Sequence, residues 1–213
     1  RAGEWGWAFE LSEQWERAPA EALGRAAAMR PLPSVLSRDA CLQALQVGSH
    51  IGNTPNDPLF GLLHRDDKAL LVEPVPELFE QLVRNYNRRY PGNTFEFVNK
   101  AVSSSIGTAR LYKATVRQQQ PSWVSQLSSL RAGHAEAHAE EYGIPDVLSE
   151  EIEVETTTLN ALIQQHRIEH IRVLHTDAES HDFEILMALD LTLVRPELIL
   201  FEHRHMDGFL KTG

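Results

Sequence analysis

The earliest chemical signal in this sequence is a glycine turn followed by a carboxylate. Gly48-Ser49-His50-Ile51-Gly52 ends the apolar run from Cys41 to Val47, and Glu73 ends the next run, Lys68 to Val72. A carboxylate about 20 residues beyond a glycine turn, at the end of the following strand, is placed to accept two hydrogen bonds from a ribose diol. The expected ligand therefore carries a nucleoside. A dinucleotide fingerprint needs G-x-G-x-x-G, whose middle glycine lets backbone approach a pyrophosphate. His50 stands at that position, and no GxxxxGK[ST] occurs anywhere. A cofactor with ribose but no phosphate suits these residues better, and S-adenosylmethionine is such a cofactor.

Two later strand ends carry groups that could move a proton. Ile171–Thr176 runs into Asp177, with Glu179 and His181 close behind, and Glu197–Phe201 runs into Glu202-His203, with His205 after it. If the acceptor is a hydroxyl, one of these groups should take its proton. Asp177 is the first choice and His203 the second. His203 and His205 alternate along one strand edge and would share a face. Asp177 has a second reading as the cap of the helix that follows, and both readings stand. His203, His205, Asp177 and Glu179 are of types that ligate divalent cations, but nothing in their spacing makes them converge. His134 and His138 fall at i, i+4 among Ala and Glu without the H-E-x-x-H order, which reads as a solvated helix face. No metal site is expected.

Composition narrows the partners. The chain has 213 residues, 42% hydrophobic and 23% charged, enough for one core with embellishments. Its formal charge of -10 makes it a poor non-specific binder of polyphosphate, so nucleic acid is not an expected partner. No run approaches the 18 or so apolar residues of a membrane span. A single cysteine, Cys41, rules out an internal disulfide and a cysteine-based zinc cluster. With no secretory signal in view, the expected compartment is the cytoplasm, although the chain opens at Arg1 and an upstream segment could precede it.

The elements that must position these groups alternate between strand and helix. Residues 1–34, with Trp5, Trp7 and Trp15 ahead of an Ala-rich stretch, read as a helical extension. Residues 35–213 read as the main domain. Its helices are expected near Leu59–Leu63, over Pro76–Tyr90, at Thr158–Gln165 and at Phe183–Leu189, and its further strands at Thr94–Val102, Thr108–Tyr112 and Ile152–Val154. Residues 113–150 have weak periodicity and read as an excursion or lid. Strands separated by helices give an α/β fold: a doubly wound, mostly parallel, Rossmann-like sheet with helices on both faces. Only about a dozen residues follow Phe201, too few for a closing hairpin. A bare sheet edge there would invite a second copy of the chain, a homo-oligomer.

In its motifs the chain resembles the FkbM-family methyltransferases, a class I S-adenosylmethionine-dependent group. The matching segments are Leu45 to Gly52, Val72-Glu73-Pro74-Val75-Pro76-Glu77, Asn99-Lys100-Ala101-Val102-Ser103, Ser128-Ser129-Leu130, Glu155-Thr156-Thr157-Thr158-Leu159, Thr176-Asp177-Ala178-Glu179 and Leu198 to Glu202. The resemblance implies a small-molecule or sugar hydroxyl as methyl acceptor. It implies a cofactor site around Gln46, Gly48, Ser49, His50, Gly52, Glu73, Pro74, Asn99, Lys100, Ala101 and Asp177. In it Glu73 would hold the ribose, Asn99 and Ala101 would lie near the adenine, and Asp177 near the sulfonium. Asp177, His203 and Glu179 are then the candidates for catalysis. Gln46 stands where the family usually has an acid, and Ser180 where it usually has glycine. Those departures keep an inactive cofactor-binding module as the alternative, with a nicotinamide-dependent oxidoreductase behind it.

Overall fold

Apolar runs too short for helices become strands here, and the stretches between them cross back over the sheet. The computed structural model describes residues 9–10, 41–115 and 121–202. In chain order the strands are β1 (Phe9–Glu10), β2 (Cys41–Val47), β3 (Ala69–Val72), β4 (Glu96–Val98), β5 (Ala101–Val102), β6 (Gly107–Thr115), β7 (Leu148–Thr157), β8 (His170–Thr176) and β9 (Leu198–Phe201). The helices are α1 (Pro76–Arg89), α2 (His134–Glu141), α3 (Leu159–Gln165) and α4 (Asp182–Met187), with a 3-10 turn at Ser122–Gln126.

The main sheet runs β1-β9-β8-β2-β3-β4, parallel throughout except for β1, which lies antiparallel beside β9 with Phe9 opposite Ile199. All four side chains of β3 are buried, as expected of a parallel strand covered on both faces. Leu45, Val47, Leu70 and Val72 face one core, with Leu159, Leu162 and Ile163 of α3 and Ile185 of α4. Ala44, Ala69 and Leu71 face the other, with Leu82 and Tyr86 of α1. This period of two puts a helix layer on each face. Strand order reverses between β2 and β8, and ligands bind at such a switch point. The doubly wound, Rossmann-like α/β fold is as the sequence implies. Among the described residues no helix is long and apolar enough to cross a membrane.

α1 forms where the periodicity places it. Pro76 opens it, Glu77 sits in its first turn, and Arg88 and Arg89 sit in its last, all favourable to the helix dipole. Two expectations fail and a third falls short. The helix near Leu59–Leu63 is a series of turns, because Asp57 Oδ1 accepts the N–H groups of Leu59 and Phe60 at 2.8 and 2.6 Å and holds them in a side-chain turn. The strand expected over Thr94–Val102 splits at Asn99-Lys100, and its second half leaves the main sheet. The short strand at Ile152–Val154 is the centre of the ten-residue β7. β7 pairs antiparallel with β6 from Gly107 opposite Thr156 to Thr115 opposite Leu148, and parallel with β5. This second sheet, β5-β7-β6, was not foreseen. Its signal is the alternation Glu151, Ile152, Glu153, Val154, Glu155, exposed and covered in turn.

The helical reading of the Ala-rich stretch after Trp15 and the placement of His203 and His205 lie outside the described residues. The edge of the sheet beside β9 is occupied for two residues by β1.

Candidate functional site

The glycine turn sits at the carboxyl end of β2 with both glycines in the left-handed region, Gly48 at φ +74° and Gly52 at φ +78°. They do different work. A Cβ on Gly48 would stand 1.8 Å from the main-chain oxygen of Asp177, so this glycine lets the ends of β2 and β8 close on each other. A Cβ on Gly52 would stand 2.5 Å from the Tyr86 ring, so that glycine seats the turn on α1. Between them the N–H of His50 donates to Glu73 Oε2 at 2.9 Å, and the N–H of Val75 donates to Oε1 at 2.8 Å. Glu73 is thus fixed by backbone on both oxygens. Burial pushes its carboxyl up to about 7, against the pull of these two bonds.

Most of the expected cofactor residues meet around one open cleft of about 800 Å³, mouth included. Gln46, Gly48, Ser49, His50, Glu73, Pro74, Lys100, Ala101, Asp177 and Glu179 line it. Gly52 does not, and neither does Asn99. Asn99 Nδ2 instead donates to the main-chain oxygens of Glu73 and Pro74, at 2.8 and 3.0 Å, and so braces the end of β3 behind the cleft. The Lys100 ammonium turns to Glu155 at 2.8 Å.

Asp57 is a lining residue the sequence reading missed. Gln46 Nε2 donates to Asp57 Oδ2 at 2.9 Å, so a carboxylate stands beside the position where an acid was expected. Burial raises the Asp57 carboxyl above its ordinary value. Gln46 itself is buried, and its Oε1 has no hydrogen-bond partner. A buried acceptor left open at the edge of a cleft is costly unless a ligand supplies the donor. Only the position of Asp57 just ahead of the helix expected near Leu59–Leu63 hints at this residue.

At the end of β8, Asp177, Glu179 and Asp182 come close together. Burial holds Asp177 well above the usual carboxylate range, and the neighbouring Glu179, Glu202, Asp182 and Asp57 add to the effect. Glu179 is pushed up to about 8 by burial and then by Asp182. Asp182 rises to about 6 through burial. The capping reading of Asp177 is corrected by this arrangement. His181 is the N-cap of α4, and the N–H of Ala178 is bound by both oxygens of Asp182, at 3.2 and 3.1 Å. Glu179 and Ser180 both adopt positive φ, +48° and +84°, which explains why glycine suits position 180.

The segment between β6 and β7 covers the cleft. It packs on itself through Val124, Leu127, Ala135 and Ala139. Three of its side chains hold it to the turn and to the end of β8: Ser125 Oγ to His50 Nε2 at 3.1 Å, Gln126 to Asn56 at 3.0 Å, and Ser129 Oγ donating to the Glu179 main-chain oxygen at 2.6 Å. His134 Nε2 and Glu179 Oε2 lie 2.7 Å apart. Burial, and then Arg131, lower His134 to about 4 while Glu179 rises, so both shifts run against an ion pair. The solvated-face reading of His134 and His138 is therefore wrong. His134 is buried, and the His138 ring stacks on Tyr142 and meets Trp123 edge-on. The i, i+4 spacing was the visible signal, and the Ala and Glu around it masked it.

Among the described residues, two groups of side chains present ligand atoms within 4.8 Å of one another: His134, His138 and Glu179, and Asp177, Glu179 and Glu202. Chemically, the cleft offers a fixed carboxylate beside a backbone turn, an open buried acceptor, and an acidic floor suited to a cation. Among protein families, the model of the methyltransferase FkbM domain matches residues 46–211. No curated protein and no solved structure matches the chain.

Proposed function

Because the chain belongs to the FkbM methyltransferase family, we propose that it transfers a methyl group from S-adenosylmethionine to a hydroxyl of a small molecule or sugar, in the cytoplasm. The observation that carries the cofactor assignment is Glu73, buried at the end of β3 and held by the backbone of the glycine turn while still lining the cleft. Each of its oxygens accepts one backbone hydrogen bond and keeps lone-pair capacity for a ribose hydroxyl. The Gln46 Oε1 acceptor suits the ammonium of the methionine part. Asp57, Asp177 and Glu179 line the cleft as buried carboxyls whose ionisation a bound sulfonium would favour. The backbone at Lys100-Ala101 lies where the adenine would rest.

Bound there, the cofactor supplies a methyl group already activated by positive sulfur. The chain's task is then alignment and proton removal. Asp177 is assigned the proton. Its raised carboxyl is a stronger base than an ordinary aspartate, and it lines the cleft beside the turn.

The nicotinamide alternative is disfavoured by the turns that follow Gly52. A pyrophosphate is received on the N-terminus of a helix directly after the glycine loop, and here no helix begins between Gly52 and α1. Gln46 does not favour an inactive module, because Asp57 restores a carboxylate at its side.

The test is calorimetric titration of the purified chain with S-adenosylhomocysteine and with NAD, followed by methyl-labelled cofactor and a panel of hydroxyl acceptors. Binding of the homocysteine product, without NAD binding, and label transfer to an acceptor are expected. Tight NAD binding would overturn the cofactor assignment. Cofactor binding without transfer to any acceptor would overturn the enzymatic one.

A further inference from the structure

We propose that His134, His138 and Glu179 bind one divalent transition-metal ion, of the class that includes zinc and cobalt, and that this ion fastens the cover to the wall of the cleft. The two histidines have no part in the proposed cofactor or acceptor contacts, and Glu179 is shared with the cleft wall.

The ligand atoms of the three side chains all lie within 4.8 Å of one another. Bonds of about 2 Å to a tetrahedral ion put its ligand atoms about 3.3 Å apart, so small side-chain rotations suffice. His134 and His138 are one helical turn apart on α2, which puts both imidazoles on one face. Glu179 comes from the end of β8, 45 residues from His134, so the group joins two separate parts of the fold. Their orientations are already set. The His138 ring is stacked on Tyr142, with ring centroids 5.0 Å apart, and has Trp123 at 5.7 Å, while His134 already points at the Glu179 carboxyl. Two imidazoles and one carboxylate form a donor set that selects zinc-like ions and leaves a fourth position for water or a ligand. The neighbouring group, Asp177, Glu179 and Glu202, offers oxygen only, which suits magnesium or calcium and lacks the imidazoles that define this site. Glu179 also lines the cleft, so an ion held there would fix one of its walls.

The test uses the full chain, stripped with a chelator and titrated with cobalt(II) chloride. One equivalent should bind, with the intense visible absorption of a four- or five-coordinate site. Zinc chloride should displace it and raise the melting temperature. In H138A and in E179Q the affinity should fall by at least about 100-fold, more than the loss typical of an outer-shell change. E179Q keeps the volume of the side chain and decides the matter if H138A fails to fold. E202Q should bind as the wild type does. The proposal is overturned if no stoichiometric binding occurs, if the folded H138A and E179Q bind like the wild type, or if binding is lost in E202Q and retained in H138A.

Discussion

The main-chain oxygen of Asp177 lies 1.8 Å from the point where a Cβ on Gly48 would stand. A glycine that looks like a turn residue is thus the contact that sets the distance between the ends of β2 and β8. Gly48→Ala must push these strand ends apart or twist φ away from +74°. The left-handed conformation alone costs about 1–2 kcal/mol, and the backbone clash adds to it. We expect a lower melting temperature and loss of S-adenosylhomocysteine binding on calorimetry. An alanine variant that binds like the wild type would show that the two strand ends can separate without harm to the site.

Glu73 carries a different burden, because the same carboxylate holds the turn and faces the cleft. Glu73→Ala removes the acceptor for the N–H groups of His50 and Val75 as well as the proposed ribose contacts. Losing two charge-assisted bonds to the ligand should weaken product binding by roughly 2–4 kcal/mol. Glu73→Gln can keep one backbone bond and should fall between. If Glu73→Ala loses stability and keeps full affinity, the residue is a brace for the turn and nothing more.

How far these residues were legible follows from their physics. Gly48, Glu73 and Asp177 stand at strand ends, and strand ends can be read from apolar runs that stop. Fold class was legible for the same reason, and the family through the resemblance of its motifs. Asp57, Ser129 and the inward face of α2 belong to turns and to the cover, where position depends on contacts across the fold. Ser129 donates to an oxygen 50 residues away, and no local period encodes such a contact. Asn99 was read as an adenine neighbour because of its place in a motif. Its side chain instead bonds the backbone at Glu73 and Pro74.

Titration of the buried acids should make stability fall as pH rises past neutrality. Burial pushes Glu73 up to about 7 and Glu179 to about 8, from 4.5, and Asp182 to about 6, from 3.8. The folded state holds these protons more tightly than the unfolded one. Their contribution is therefore complete below the unfolded values and is lost as pH rises through the folded ones. His134 and His175 behave in the opposite way. Burial lowers each to about 4 from 6.5, so their contribution is complete above 6.5 and is lost as pH falls through 4. Above pH 6.5 only the acids still act. Melting temperature, measured with a chelator present, should decline from pH 6.5 to 8.5, and Glu179→Gln should flatten the decline. A wild-type melting curve that is level across that range would contradict this assignment of protons.

The Gln46–Asp57 pair allows a test in which two damaging changes should cancel. Gln46→Glu restores the acid usual in the family, yet here it sets a second carboxylate against Asp57 Oδ2, 2.9 Å from the present donor. With the position at 46 buried, the repulsion should cost roughly 3 kcal/mol. Asp57→Asn alone keeps an oxygen for the N–H groups of Leu59 and Phe60 but turns an amide nitrogen toward the donor on Gln46, and should cost about 1.5–3 kcal/mol. Combined, the carboxylate at position 46 accepts from the amide at position 57, so the bond returns with its polarity reversed. A double-mutant cycle on unfolding free energy should then show a coupling of about 2 kcal/mol in the restoring direction. Product affinity should return as well, since the negative charge stays at the same edge of the cleft. Strictly additive losses would mean that this hydrogen bond does not join the two residues in solution, and that Asp57 does not stand in for the missing acid.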